Sequence, residues 1–368
     1  MASFQFSLLR SALLRIILTI LLVVLLFGSL ILSGWTKIDP DWYSTDSPIP
    51  QGENQALIFS EAINKTEIDD PFGLAVDSKG WIYSGSSDGN IYRIRTDGSI
   101  SVFARTSGRP LGLAFDEKGT LFACVSGVGL ASYDSDGKET ILLQEDSEGN
   151  KLRNLYGLDV SKEGIIYFSE VSMKFSFEDS YLEELESKPY GRIFSFDPKN
   201  LSLKVLLDQV FYPTGVALSA KEDYLLFGEK YRHRISKLIL KGKNVGRDQF
   251  FITHLLGSPA LIRSDRKGSY WIALSAPRHS MIDKIQMEPL WKKIIGSFPR
   301  IFKPKEGELG YILGMNEDGD VTFALTDPGG NRVGRTTSVH EYGNGLLLAG
   351  NSTEKIWKWK FESLEIFF

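Results

Sequence analysis

The chain has 368 residues, 42 Lys and Arg against 46 Asp and Glu, and a formal net charge of −4. That balance offers no basic surface for a polyanion, so nucleic acid is excluded as the expected partner. Thirty-five glycines and 12% aromatic residues suit an all-β chain with many turns. One cysteine, Cys124, rules out an intrachain disulfide, and within LFACVSG it reads as a small buried hydrophobe.

The first predicted element is Ile16–Leu32, an uncharged and mostly apolar run. As a helix it spans about 26 Å, and Ser33–Trp35 and Ala12–Leu14 extend it, with Arg15 snorkelling. Arg10 and Arg15 precede it, whereas Lys37 is followed by Asp39 and Asp41. The positive-inside rule therefore predicts a cytoplasmic N-terminus and an extracytoplasmic remainder, which is periplasmic, lumenal or extracellular. A cleaved signal peptide is the alternative; it calls for a shorter apolar core and a better cleavage site than LSGW, so the segment is read as an uncleaved anchor. Residues 37–54, which carry Pro40, Pro48 and Pro50, read as an extended linker.

From residue 55 a phrase repeats: an uncharged opening residue, a small residue, an apolar run, a polar turn and a second apolar run. It appears as Phe72-GLAVDSKGWIYSG, Leu111-GLAFDEKGTLFAC, Tyr156-GLDVSKEGIIYFS, Thr214-GVALSAKEDYLLFG and Ala260-LIRSDRKGSYWIAL. Two further strands follow most copies, so each repeat is four antiparallel strands. A weaker sixth copy, SVHEYGNGLLLAG, takes Thr337 as its opening residue, with the register open by one position. Four-stranded units at this spacing predict a six-bladed β-propeller over 55–368, closed by a strand around Ala56–Ser60. Two insertions, 171–189 and 275–305, follow second strands and are candidate lids on the face where the opening residues lie. The second has apolar residues at helical spacing (Met281, Ile282, Ile285, Leu290, Trp291, Ile294, Ile295, Phe298) and a basic set (Lys284, Lys292, Lys293, Arg300, Lys303, Lys305). It is read either as a lid or, over 281–302, as a surface that dips into the bilayer.

GRPLGLAFDEKGTLF at 108–122, the segment 204–235 ending in GEKYRHRI, YFSE, GRIFSFDP, MEPLWKKII and SVHEYGNGLLLAG together resemble the strictosidine synthase-like propellers. The resemblance is strongest to the adipocyte plasma membrane-associated protein group, and it extends more distantly to the calcium-dependent lactonases and arylesterases of the gluconolactonase and paraoxonase type. In those calcium-dependent relatives the resemblance implies a Glu opening the first inner strand, Asn the third and fourth, and Asp the fifth. The corresponding residues here are Phe72, Tyr156, Thr214 and Ala260. Calcium takes 6–8 oxygen ligands including carboxylates, so the expectation is no metal and no cofactor. Strictosidine synthase itself implies a catalytic Glu opening the sixth inner strand, where this chain has Thr337.

The opening residues Phe72, Leu111, Tyr156, Thr214, Ala260 and Thr337 are thus the candidate lining of an apolar channel mouth. The polar candidates near it are Glu170, Glu229 and His233 as acid–base groups, with Tyr231, Arg232, Arg278 and His279 alongside. Glu170 and Glu229 have a plainer reading as turn-holding groups paired with Arg232, Arg278 or backbone amides, and the histidines have a plainer structural reading as well. His340 and Glu341 read as a turn-stabilising pair. No G-x-S-x-G or C-x-x-C is present. Three functions stay open: binding of a small apolar ligand in the channel; a metal-independent esterase, lactonase or condensing enzyme using Glu229 and Glu170; and a scaffold for another membrane or envelope protein. Asn64, Asn200 and Asn351 head N-x-S/T sequons that matter only in a eukaryotic lumen.

Overall fold

The computed structural model describes residues 2–32, 36–45, 47–48, 54–298, 307–350 and 354–362. Ser33–Trp35, residues 299–305 of the second insertion and the Asn351 sequon lie outside them. The chain divides into two compact units, one made of residues 1–45, 179–188 and 281–304, the other of the remaining residues.

The larger unit is a six-bladed propeller of six antiparallel four-stranded sheets. In each of the first five sheets the four strands follow one another in sequence. The sixth combines Thr336–Tyr342, Gly345–Gly350 and Trp357–Lys360 with Glu61–Ala62 from the start of the domain. The ring therefore closes on pairing of Glu61 with Lys358 and Ala62 with Trp357. Ala56–Phe59, expected to supply that strand, instead forms a 3-10 turn. Ala56 and Leu57 are fully buried in the core shared by the last two blades, and the Trp359 indole donates to the Ala56 carbonyl at 2.9 Å.

The repeated phrase has two physical causes. In its DSKG, DEKG and DRKG turns the Asp carboxylate accepts two backbone N–H groups: Asp77 from Lys79 and Trp81, Asp116 from Lys118 and Thr120, Asp265 from Lys267 and Ser269. The Gly that follows takes a left-handed φ, +75° at Gly80 and +85° at Gly119. The second cause is crowding around the axis. A Cβ on Gly73 would lie 1.9 Å from the Leu111 carbonyl oxygen of the next blade, and one on Gly112 would lie 2.6 Å from that of Tyr156. The same approach recurs at Gly157 and Gly215. In blades two to five a register shift spans the opening residue and its follower, as between Pro110 and Leu113 or between Leu155 and Leu158.

In the smaller unit, α1 runs over Ala2–Leu32. Its Ala12–Ser29 stretch is long and apolar enough to cross a membrane, with Arg15 as its one charge. Thr19 and Ser29 return their hydroxyls to the Arg15 and Leu26 carbonyls at 2.8 Å, which spares them from needing water. The first insertion forms α2, Ser180–Glu186. The second forms α3, Ser280–Ile285, and α4, Pro289–Ser297. Pro289 keeps Glu288 out of helical geometry, so the described part of the insertion is two short helices and its apolar residues divide between two faces. Ile282 and Ile295 are buried, while Met281, Leu290 and Trp291 are exposed. Lys292, grouped with the basic rim in the sequence, is fully buried, and its ammonium donates to the Asp41 carbonyl, to Ser187 Oγ at 2.9 Å and to the Gln286 carbonyl at 3.2 Å.

Residues 36–45, the start of the expected linker, are extended and tied down. Asp41 N–H donates to the Glu186 carbonyl and Tyr43 N–H to the Gln286 carbonyl, both at 2.9 Å. Ile38, 3% exposed, fills the space above Gly296.

Candidate functional site

Strand register in the propeller places the opening residues and the ends of the second strands at one end of the channel. Glu170 pairs opposite Leu155 and Glu229 opposite Pro213, each beside an opening residue. At this end Phe72, Leu111, Tyr156 and Leu261 form one buried apolar cluster with Val171 and Tyr212, against which Phe177 and Tyr231 pack. Phe72 and Tyr156 meet edge to face at 5.3 Å, and Tyr212 and Tyr231 lie tilted at 56° with centroids 4.6 Å apart. Burial pushes the Tyr156 phenol well above its ordinary range, so it stays neutral.

The other three opening residues turn elsewhere. Thr214 donates to the carbonyls of Pro259 at 3.0 Å and Gly228 at 3.3 Å. Thr337 donates to Phe72 O at 3.2 Å, and Ala260 packs in the core between the last two blades. Leu261, one residue after Ala260, occupies the place of the repeated glycine and points its side chain into the cluster. Ser338 holds that place in blade six, where its hydroxyl accepts Leu74 N–H at 3.2 Å and joins the sixth inner strand to the first.

Both candidate carboxylates are bound to arginines that follow them across the strand pair. Arg192 lies opposite Glu170 and Arg234 opposite Glu229 in the register of their sheets. Arg192 donates from Nε and Nη2 to Glu170 at 3.0 and 2.7 Å, and from Nη1 to Asp146 at 2.6 Å. The three side chains are 7%, 1% and 3% exposed. Burial raises the Glu170 carboxyl, with Arg192 opposing. Asp146 is held well below the carboxylate range: burial works against this, but Arg192, Asn150 and the Glu148 and Asn150 amides outweigh it. Arg234 is bidentate on Glu229 at 2.7 and 2.6 Å, and Ser236 adds a third bond at 2.5 Å. Glu229 is thereby held by three bonds, and among the described residues it makes no hydrogen bond to His233. The His233 ring is buried with Nδ1 against Gly257 O at 3.3 Å. Burial and Arg278 push its pKa down to about 3. Arg232 stacks on Phe211 at 3.9 Å, and His279 is exposed.

Two further sets escaped the sequence reading, and the repeat register would have found both. Two positions before the opening residues stand Asp70, Arg109 and Arg335. Arg109 sits 3.8 Å from the Asp70 carboxylate and 5.7 Å from the Phe72 ring centre. Asp70 and Arg335 hold left-handed φ values of +45° and +44°, unusual for such side chains. Burial raises the Asp70 carboxyl while Arg109 and Arg335 pull it back. Three positions after the opening residues stand Ala75, Ala114, Asp159, Ala217, Arg263 and, in blade six, His340. The two small alanines of the first blades leave room, and a cavity of about 260 Å³ opens there, lined also by Asp159, Arg263 and His340. Arg263 reaches from blade five to the carbonyls of Leu74 at 2.8 Å, of Leu113, and of Leu158 at 3.5 Å in blades one to three. Its enclosed Nε has no acceptor among the described residues. The neighbouring carboxylate, Asp159, is held by Arg266 at 2.8 Å. Burial, and then Arg263, push His340 down to about 4, and its Nδ1 faces Glu341 O at 2.8 Å. Glu341 itself accepts the Trp271 indole at 3.3 Å.

Among the described residues no three His, Cys, Asp or Glu side chains converge as a metal-ligand set. At the opening positions the side-chain oxygens are the Tyr156 phenol, kept neutral by burial, and the Thr214 and Thr337 hydroxyls already bonded to carbonyls, a set without a carboxylate that does not fit calcium.

Comparison with known proteins bears on this geometry. The family described as Strictosidine synthase is matched at residues 156–243, and Strictosidine synthase-like, N-terminal, at residues 52–94. The chain is similar to the protein Strictosidine synthase-like 6 of Arabidopsis thaliana, 30% identical over 81% of this chain and 84% of that one. It is also similar to the adipocyte plasma membrane-associated protein of Rattus norvegicus, 28% identical over 91% of this chain and 96% of that one. Among solved structures it is similar in fold to a gluconolactonase from Xanthomonas campestris, with a TM-score of 0.60 at 15% identity, covering 88% of this chain and 96% of the other.

Proposed function

This chain belongs to the strictosidine synthase-like family, and on that premise we propose that it is a single-pass membrane protein whose propeller binds a small apolar ligand at the channel mouth, without metal and without acid–base catalysis. The N-terminus lies in the cytoplasm and the propeller outside it, on the strength of Arg10 and Arg15 before the span and Asp39 and Asp41 after it. The observation that carries the binding reading is the convergence of Phe72, Leu111, Tyr156, Leu261, Val171 and Tyr212 at one end of the channel. Such a lining recognises apolar surface and supplies no nucleophile. The carboxylates beside it are already neutralised by Arg192 and Arg234.

The second reading, a metal-independent hydrolase or condensing enzyme working through Glu170 or Glu229, is favoured by one observation: burial raises the Glu170 carboxyl towards a range useful to a general acid. Organic extraction of the purified full chain followed by mass spectrometry separates the two. An apolar molecule should co-purify and be lost in Leu111→Glu, while millimolar calcium and EDTA leave Tm unchanged. A clear calcium-dependent rise in Tm refutes the metal-free mouth. Aryl ester hydrolysis abolished by Glu229→Gln would establish the enzymatic reading in its place.

A further inference from the structure

The smaller unit exposes more large apolar surface than a water-facing element needs. Trp42 is 67% exposed, Met281 45%, Met287 57%, Leu290 57% and Trp291 55%. These residues belong to the same unit as α1. Exposed tryptophan and methionine on two short helices, the turn between them and the strap are the composition of a surface that meets something apolar.

The contact between α1 and α4 says what that something is. The Phe298 ring, next to the last residue of α4, packs on Phe27 with centroids 5.9 Å apart. Phe27 lies inside the Ala12–Ser29 stretch. At about 1.5 Å per residue it sits only some 7–8 Å before Leu32, where α1 ends. A helix seated against the last turns of a spanning helix lies at the depth of the lipid headgroups and upper acyl chains. The inward faces are already filled: Ile282, Gln286, Lys292 and Ile295 are buried, and Lys292 is fixed by the carbonyls of Asp41 and Gln286. Met287, Leu290 and Trp291 are left outward, with exposed Lys284 suited to lipid phosphate; the exposed acids among the described residues here are Glu288 beside α4 and Asp39 and Asp41 on the strap, Asp39 being paired with Lys188.

We infer that α3, α4 and the 36–45 strap form a membrane-interface platform, with Met287, Leu290 and Trp291 entering the outer leaflet of the bilayer that α1 crosses. This rests on the reading of α1 as a span.

The test uses the full chain in phosphatidylcholine nanodiscs, with a nitroxide on a single introduced cysteine. Cys124 is fully buried, and burial holds its thiol far above the ordinary range, so the native cysteine does not compete for the label. Labels at Met287→Cys, Leu290→Cys and Trp291→Cys are expected to collide preferentially with oxygen, as a label at Leu22→Cys does within the span. Preferential collision with the water-soluble nickel chelate at 287, 290 and 291, with Leu22 still in lipid, overturns the platform. So does immobilisation with access to neither reagent, which would mean that protein covers the face. A Leu22 label that is itself in water overturns the span reading instead. A label-free check keeps the result independent of the cysteine variants: quenching of tryptophan fluorescence by brominated lipid should fall in Trp291→Phe, and unchanged quenching counts against the platform.

Discussion

Replacing Arg192 by Met isolates what the Glu170 pair does. Met keeps most of the aliphatic stem, including its packing near Phe194, where the guanidinium now lies 4.8 Å from the ring centre. It removes two bonds to Glu170 and one to Asp146. Asp146 retains the Asn150 side chain and the amides of Glu148 and Asn150. Glu170, 1% exposed, retains no cation. Breaking a buried pair by removing one partner costs about 3–5 kcal/mol. At roughly 2–4 °C per kcal/mol for a large domain, Tm should fall by the order of 10 °C at neutral pH. The deficit depends on pH with a definite sign. Burial already raises Glu170, and losing Arg192 raises it further, so the folded variant takes up a proton more readily than the unfolded chain. Its deficit therefore shrinks as pH falls from 7.5 towards 5. The assay is thermal unfolding of the full chain in one detergent across that range, with Glu170→Gln added to the Arg192→Met background. The double variant should recover most of the loss and lose its pH dependence. A Tm within 1 °C of the parent, or a deficit indifferent both to pH and to Glu170→Gln, would refute the reasoning.

The remaining predictions concern the axis and the histidines. Gly73→Ala places a methyl against the Leu111 carbonyl of the next blade, where neither backbone has room, and should cost about 1–3 kcal/mol or prevent folding. Gly119→Ala, which meets nothing within 4 Å but must hold φ +85°, should cost about 1 kcal/mol, so equal melts for the two variants would contradict the crowding argument. His233 and His340, with pKa values near 3 and 4, should show no imidazole titration between pH 5 and 8 by NMR. Because both are depressed below the unfolded value of about 6.5, protons favour the unfolded chain, and stability should decline steadily as pH drops below 6.5. A midpoint near 6.5 for either ring would show it to be solvated.

How far the fold could be read in advance follows from its turns. Asp-x-Lys-Gly turns in three copies and a glycine on four of the six inner strands are local demands, met by particular residues at fixed spacing, so five blades could be counted directly and the weaker sixth added by its spacing. The closing strand could not be placed so closely, because Ala56–Phe59 is the more β-like in composition, whereas the pair that closes the ring, Glu61–Ala62, consists of residues depleted in strands. The choice fell to Trp359, 303 residues away, whose indole takes the Ala56 carbonyl. The sites divide in the same way. Glu170 and Glu229 could be put at the mouth by register alone, but the partners expected for them, Arg232 and Arg278, are not the ones they have. Arg234 opens the strand after Glu229 and Arg192 is the second residue of the strand after Glu170, and antiparallel pairing sets them opposite.

What the sequence by itself determined is therefore what depends on neighbours along the chain: the repeat, the turn chemistry, the apolar span and the uncharged character of the opening residues. Tertiary structure alone decided which opening residues face one another. Phe72, Leu111 and Tyr156 do, while Thr214, Ala260 and Thr337 turn between blades and Leu261 takes the place left by a missing glycine. It also decided that Arg263 crosses the channel to three other blades, and that the described part of the second insertion folds as two short helices with one face buried against the 36–45 strap. Each of these outcomes is set by which backbones approach across the ring or within the helical unit, and that distance is not written in the spacing of any one strand.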